Sequence, residues 1–238
     1  MPVYPAPVLA VAFVPHPPAL VPELCGGPIP ELADVRAASS TAVDRMLASE
    51  PDVVWIVGSG PSEQWYGAGD VGSLASFGRP VQAQLSAHAG PDGARLPLSL
   101  TVGAWLLDRA GYAGERLALS VPGAADDQQL RDLAAEFVGN GALLVLADGS
   151  AMRDLEAPGT HHPAAVEFDD AVAAALAAGD AASLSSLDSR LGVEVQAQGV
   201  AAWRLAGHRL RDVRVVAELL YYGAPFGVGY TVAFWAQY

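Results

Sequence analysis

The chain has 238 residues, 52% hydrophobic and 16% charged, which is enough to bury the core of one large domain spanning 1–238. Its formal net charge is -13 and every basic residue is an arginine, so we expect neither a nucleic-acid partner nor an anionic membrane surface. A single cysteine cannot form an internal disulfide, and no apolar run reaches the roughly 18 residues of a membrane span. These features predict a cytoplasmic protein.

The first predicted element is a buried strand over Val8–Val14, in which every residue is apolar. It leads to His16, which lies between Pro15 and the pair Pro17 and Pro18. Each proline fixes its own φ and disfavours helix at the preceding residue, so the imidazole sits on a stiff, extended segment. A histidine held in this way at a strand end suggests a metal ligand. The alternative is a histidine that bonds to the backbone of a proline-rich turn.

Helices and strands alternate through the middle of the chain. The predicted elements are a helix at 31–49, a strand at 52–60, a Gly-rich loop with short strands at 62–95, a helix at 96–111, a strand at 116–123, a helix capped by Asp126 or Asp127, and a strand at 142–147. This order predicts a largely parallel sheet with helices on both faces. Ligands of such sheets collect at the carboxyl ends of the strands.

The last third of the chain is predicted to hold three helices and a hairpin. The helices cover 163–178, a short segment after Asp180, and 191–205, and the hairpin begins with a strand over 213–222. Glu218 lies on this strand among apolar residues, where burial of an ionised carboxylate is costly without a partner. The sequence leaves open whether that partner is a metal, backbone N–H groups or a distant arginine.

Five segments occur in an order that resembles the LigB-like superfamily, which contains the class III extradiol ring-cleavage dioxygenases and their Memo-like relatives. They span nearly the whole chain and read FVPHPPALVPEL, DVVWIVGSGP, LADGSAMRDLEAPG, EFDDAV and AELLYYGAPFGVGY. The resemblance implies a three-layer α/β/α sandwich around a mixed, largely parallel sheet with a C-terminal hairpin. Family enzymes hold non-haem Fe(II) with two His and one Glu and leave positions open for a catechol and O₂. No nucleotide cofactor is expected.

Only part of the family's metal-ligand set has a match in this sequence. By the resemblance, His16 matches the first histidine ligand and Glu218 the carboxylate, whereas Ser59 stands where the second histidine is expected. A serine hydroxyl is a poor Fe(II) ligand, so Fe(II) or another divalent metal would have an incomplete site. A loop histidine, His161 or His162, could supply a replacement ligand; the alternative is an exposed pair without a site role.

The acid/base histidine of the family also has no match. It is expected soon after a Gly-Asp-x-Ser stretch, but here Asp148 and Ser150 are followed by Ala, Met and Arg153, none of which shuttles protons near neutral pH. Asp148 and Ser150 remain catalytic candidates because they follow a predicted strand, and His161 or His162 could act as a base.

The remaining candidates concern a pocket at the strand ends. They are Ser59, Gly60, Ser62, Trp65 and Tyr222. The Gly/Ser segment could line a pocket or bind an anion, or form an ordinary tight turn, and Trp65 could stack on an aromatic ligand or belong to the core. Two further histidines, His88 and His208, are expected at the surface.

Three functions follow from these patterns. The first is a divergent LigB-like enzyme with a degenerate metal site that acts on or binds a small aromatic compound. The second is a non-catalytic, Memo-like module that binds a small molecule or a protein on the same scaffold. The third is a hydrolase with Ser59 or Ser150 as nucleophile, for which the sequence identifies no base. A homo-oligomer is left open.

Overall fold

The computed structural model describes residues 8–86, 93–138 and 140–238. The strands are β1 Val8–Val14, β2 Val53–Ser59, β3 Gln64–Tyr66, β4 Val71–Ser73, β5 Gln82–Gln84, β6 Glu115–Val121, β7 Gly141–Leu146, β8 Val215–Gly223 and β9 Tyr230–Gln237. The helices are α1 Ala33–Leu47, α2 Leu98–Arg109, α3 Asp127–Ala135, α4 Ala165–Ala178, α5 Ala181–Ser185, α6 Ser189–Glu194 and α7 Val200–Leu210. His88 lies outside the described residues.

One seven-stranded sheet organises the molecule, in the order β3-β6-β2-β7-β1-β9-β8. The pairs β6/β2, β2/β7 and β7/β1 are parallel, whereas β9 runs antiparallel to both β1 and β8. Strands β6, β2, β7, β1 and β8 therefore point the same way, and their carboxyl ends meet at one edge. Strands β4 and β5 form a separate two-stranded sheet.

The two faces of this sheet are covered by different helices. Alternate residues of the central strands point to opposite faces, so Phe13 and Leu143 join one apolar core while Ala12 and Leu144 join the other. The first core contains α3, α4, α5 and α7, and the second contains α1 and α2. Helices, sheet and helices thus form three layers, and the predicted α/β fold class with its C-terminal hairpin is confirmed.

Most predicted elements occur close to their predicted positions, and β1 has the predicted bounds. The prediction of one helix over 191–205 is wrong, because α6 ends at Glu194 and α7 begins at Val200. Gly199 separates them with a φ of 107°, a left-handed conformation that glycine adopts at low cost. The predicted helix at 31–49 begins with a short 3-10 segment, Pro30–Leu32, before α1. None of the described helices is both long and apolar enough to cross a bilayer.

Candidate functional site

The carboxyl edge of the sheet collects several of the predicted site residues. His16 follows the end of β1, Asp148 follows the end of β7, and Ser59 is the last residue of β2. Tyr222, near the end of β8, lies at the same edge because β8 runs in the same direction as β1. The expectation that ligand-binding positions lie here rests on the geometry of parallel sheets.

His16 and Asp148 are in direct contact. The backbone N–H of His16 donates to Oδ1 of Asp148 at 2.7 Å, and Nδ1 of the imidazole lies 3.6 Å from the same oxygen. Both residues are buried, with His16 4% and Asp148 8% exposed. Burial raises the pKa of Asp148, whereas the neighbouring His16 lowers it. The carboxylate therefore fixes the proline-bounded segment against the end of β7.

The backbone of Asp148 forms a second connection. Its N–H donates to the carbonyl of Gln198 at 2.6 Å, and the N–H of Gln198 donates back at 3.0 Å. Gln198 belongs to the connection between α6 and α7. Asp148 thus joins that connection to β7 through its backbone and to His16 through its side chain.

A buried carboxylate that the sequence analysis did not identify, Asp169 on α4, holds the loop after Asp148. Its Oδ1 accepts from the backbone N–H of Ser150 at 2.8 Å, and its Oδ2 lies 3.5 Å from Arg153. A Cβ at Gly149 or Gly229 would collide with this carboxylate, so both glycines are needed for the close packing. Asp169 is 1% exposed, and burial raises its pKa to about 6.

Ser150 acts as a structural residue in this loop. It is fully buried, its hydroxyl donates to the carbonyl of Val195 at 2.7 Å, and the same oxygen accepts from the N–H of Met152 at 3.0 Å. The first bond joins the loop to the end of α6, and the second is local to the loop. The hydroxyl is therefore committed to the fold.

Tyr222 is part of a polar contact with α4 and the loop after β7. Its hydroxyl accepts from Arg153 at 3.0 Å and donates to Asp170, and the guanidinium of Arg153 lies 5.1 Å from the centre of the Tyr222 ring. Burial, together with the bond to Asp170, raises the pKa of Tyr222 to about 12. The phenol therefore stays protonated at neutral pH.

A cavity of about 340 Å³ opens beside the ends of β2 and β6. Ser59, Gly60 and Val121 line it from the sheet. The lining from the other side comes from α6, α7 and the connection between them, including Gln196, Gln198, Gly199, Val193 and Val200. None of the described residues that line it is charged. The cavity therefore offers hydroxyl, amide and backbone groups together with an apolar wall.

Two of the five predicted pocket residues, Ser59 and Gly60, line this cavity, and the other three do not. Ser62 is exposed, and its carbonyl accepts from Ser120 at 2.7 Å. The Trp65 ring packs 5.4 Å from Phe137, and its indole N–H donates to Glu136 at 2.9 Å. Trp65 thus packs at the margin of the core, which agrees with the alternative that it belongs to the core and does not stack on a ligand.

The remaining histidines lie in other places. His161 is exposed, and His162 precedes α4, where its Nδ1 accepts from the N–H of Ala164 at 3.2 Å and its backbone N–H donates to Met152. The prediction that His208 is a surface residue is wrong. Its side chain is 4% exposed and its Nε2 lies 2.8 Å from Asp127, while burial lowers its pKa.

Glu218 is exposed, which contradicts the prediction of a buried carboxylate. Its side chain is 55% exposed, and Oε2 accepts from Arg45 on α1 at 2.7 Å. Glu218 lies opposite Phe234, and Phe234 lies opposite Ala12 on β1. His16 is four residues beyond Ala12, so Glu218 and His16 are separated by about 13 Å along the sheet and about 10 Å across it. The structure does not bring these two residues together.

The residues present do not fit the Fe(II) centre that the family resemblance implies. A facial-triad site needs three side chains that converge on one point. The described residues contain no group of three His, Cys, Asp or Glu side chains that could hold a metal ion. His16 contacts Asp148, Glu218 is bound to Arg45, and Ser59 supplies only a hydroxyl.

Comparisons with known proteins add little to this geometry. No family model matches the chain, and no curated protein matches it. Among solved structures, the uncharacterized protein JW3007 from Escherichia coli K12 is similar over 96% of this chain and 100% of its own, with 14% identity and a TM-score of 0.46. A likeness of this size identifies no function.

Proposed function

We propose that this protein is a divergent LigB-like module that binds a small uncharged molecule in the cavity beside the ends of β2 and β6, without ring-cleavage chemistry. The observation that carries the proposal is the cavity itself. Its volume of about 340 Å³ is at the lower end of the range for ligand sites, and it lies at the sheet edge where such folds bind ligands. A molecule with a single ring fits this size.

The lining indicates the chemistry of the ligand. Ser59, Gln196 and Gln198 offer hydrogen-bond donors and acceptors, while Val193 and Val200 offer apolar contact. A charged ligand would lose its hydration without gaining a charged partner from the lining, which costs several kcal/mol for an unpaired ion. We therefore expect an uncharged ligand with one or two polar groups on an apolar or aromatic body.

The positions of the candidate catalytic residues favour binding over catalysis. The carboxylate of Asp148 and the hydroxyl of Ser150 already bond to the backbone of neighbouring segments. A facial-triad oxygenase would need two further metal ligands near His16, but Glu218 lies on β8, which is separated from β1 by β9. A hydrolase would need a base that contacts Ser59 or Ser150, and the hydrogen bonds of Ser150 lead only to backbone groups.

Blocking the cavity tests the proposal. Gly123 lines the cavity, has no positive φ, and a Cβ there would meet nothing within 4 Å, so a side chain at this position begins in open space and Gly123→Trp is expected to block the cavity. Gly27→Trp is the matched control, because Gly27 is equally open and lies outside the cavity. With catechol and benzamide as probes, saturation-transfer NMR is expected to detect binding to the wild type and to Gly27→Trp but not to Gly123→Trp. Equal binding to all three proteins, or to none, would contradict the proposal.

Metal content and oxygen consumption test the chemistry separately. Protein purified without a histidine tag and supplied with Fe(II) is expected to retain far less than one equivalent of iron and to consume no oxygen with catechol. Retention of one equivalent that is lost in His16→Gln, together with oxygen uptake, would instead support the dioxygenase. The two experiments are independent, so ligand binding can be confirmed even if the metal result differs.

A further inference from the structure

The sheet ends in an outer strand that has a neighbour on one side only. Among the described residues, β8 pairs with β9 and with no other strand. Its pairing is regular from Val215 to Leu219 and is then interrupted by an irregularity before Tyr221. Proteins commonly protect such edges with proline, several charges or a covering segment, because unpaired strand groups recruit other chains. The sequence of β8 is VVAELLYYG, with no proline and one charge.

The backbone of β8 presents hydrogen-bonding groups along this edge. The N–H of Tyr238 donates to the carbonyl of Arg214 at 3.3 Å, which makes that pair a hydrogen-bonded one. Hydrogen-bonded and non-hydrogen-bonded pairs alternate in antiparallel strands. The N–H and C=O groups of Val215, Ala217 and Leu219 therefore point away from β9, toward the outer edge.

Three side chains with complementary properties stand beside this edge. Arg214, Val216 and Glu218 share one face of the strand by period-two alternation, and all three are exposed. Val216 is 62% exposed, so its apolar surface is available for contact with a partner strand. The ion pair with Arg45 holds the Glu218 carboxylate on this face.

We propose that β8 pairs with β8 of a second copy of this chain, antiparallel and centred on Val216, to form a symmetric dimer with one continuous sheet. A twofold axis at Val216 places Val216 opposite its equivalent and Arg214 opposite Glu218 of the second copy, twice. These are non-hydrogen-bonded pairs, in which the Cα atoms approach to about 4.5 Å and side chains interact best. Val215 and Ala217 of the two copies then exchange backbone hydrogen bonds.

The charge pattern selects this register over its neighbours. A twofold axis at Glu218 would place this carboxylate opposite Glu218 of the second copy. An axis at Arg214 would likewise place two guanidinium groups opposite each other. Centring it on Ala217 would place Val216 opposite Glu218 of the second copy. Only the register on Val216 pairs both charges with opposite ones and buries the exposed valine against an apolar partner.

Charge reversal gives a test specific to this register. Sedimentation equilibrium of the wild-type chain at about 100 µM is expected to show a dimer. Arg214→Glu opposes two carboxylates at each end, and Glu218→Arg opposes two guanidinium groups, so each variant is expected to weaken dimerisation by about tenfold or more. An equimolar mixture of the two variants restores both ion pairs and is expected to dimerise. The double variant restores them as well.

Several outcomes would overturn the proposal. A wild-type chain that stays monomeric at this concentration excludes the dimer, and dimers that persist unchanged in both single variants place the interface elsewhere. Single variants that do not associate when mixed exclude the register. Thermal unfolding followed by circular dichroism checks that Arg214→Glu and Glu218→Arg are folded. Arg214 is exposed, and Glu218→Arg loses only a solvent-exposed ion pair with Arg45, so we expect a small change in stability.

Discussion

The carboxyl edge of the sheet has two halves that differ in how they use polar residues. At the ends of β1 and β7, His16, Asp148 and Ser150 are buried, and the Asp148 carboxylate and the Ser150 hydroxyl form hydrogen bonds to neighbouring backbone. At the ends of β2 and β6, Ser59 and Gly60 border an open cavity with no charged lining. The half that holds the residue types common in catalytic sites is buried and hydrogen-bonded. The half with uncharged residues borders a cavity that a ligand can enter.

This difference shows that residue type alone does not locate a binding site. Buried polar groups are stable only when they are hydrogen-bonded, so Asp148 and Asp169 sit where backbone N–H groups of loops need acceptors. A small neutral ligand needs only shape and a few donors and acceptors, which serine, glutamine and glycine supply. The following predictions test whether the closed half is structural and the open half is the binding region.

The largest expected effect concerns the bond between Asp148 and His16. Asp148→Ala leaves the buried N–H of His16 without its acceptor, which is expected to lower the free energy of unfolding by about 3 kcal/mol. Urea denaturation measures this change. Asp148→Asn keeps an acceptor oxygen and is expected to lose about 1 kcal/mol. Equal losses in the two variants would contradict a role as backbone acceptor.

A smaller effect is expected from the titration of Asp169. Its pKa is about 6 in the folded chain against an ordinary value of 3.8, so the folded state binds more protons between these values. Stability is therefore expected to fall as the pH rises, by about 2 kcal/mol between about pH 4 and about pH 7. Asp169→Asn is expected to lack this loss. The measurement is the free energy of unfolding of the variant and of the wild type at several pH values across that range.

A control carboxylate sharpens this prediction. Asp44→Asn, at an exposed position on α1, removes one negative charge outside the buried loop and is the matched control for the change in net charge. If Asp169→Asn showed the same pH dependence as the wild type, the buried carboxylate would not be the group that titrates. The comparison needs only unfolding curves at several pH values.

The smallest effect is expected at Trp65. Trp65→Phe removes an exposed hydrogen bond to Glu136 but keeps an aromatic ring beside Phe137, so the expected loss of stability is about 1 kcal/mol or less. Binding of catechol is expected to be unchanged, because Trp65 does not line the cavity. Loss of binding comparable to that in Gly123→Trp would move the ligand site toward β3.

The strands and most helices could be predicted from the sequence because their signals are local. The apolar run of β1 predicts a buried strand, and Asp126, one of the two predicted caps, caps α3 by accepting from Gln129. The break between α6 and α7 was missed, although Gly199 was a signal for it. Residues 191–198 and 200–205 both contain apolar residues that are compatible with a helix, so periodicity alone does not reveal the interruption.

The site could be predicted only in part, because burial depends on strand order. Glu218 was expected to be buried since its neighbours are apolar, but β8 is the outermost strand, and that position depends on pairings far apart in sequence. Asp169 was not predicted because its partner, the backbone N–H of Ser150, lies 19 residues away in the loop after β7. Only the folded chain brings the two groups together. Glycines 149 and 229, which its carboxylate requires, were the available signal.

The two connections of Asp148 give the molecule a natural spectroscopic reporter. Its backbone holds the Gln198 segment that forms one wall of the cavity, and its carboxylate lies 3.6 Å from the imidazole of His16. A ligand that displaces the Gln198 segment is expected to displace Asp148 through their backbone hydrogen bonds. The movement of the Asp148 carboxylate would then change the chemical shifts of the His16 ring. The ring resonances of a single histidine, read without any label on the ligand, would then register occupancy.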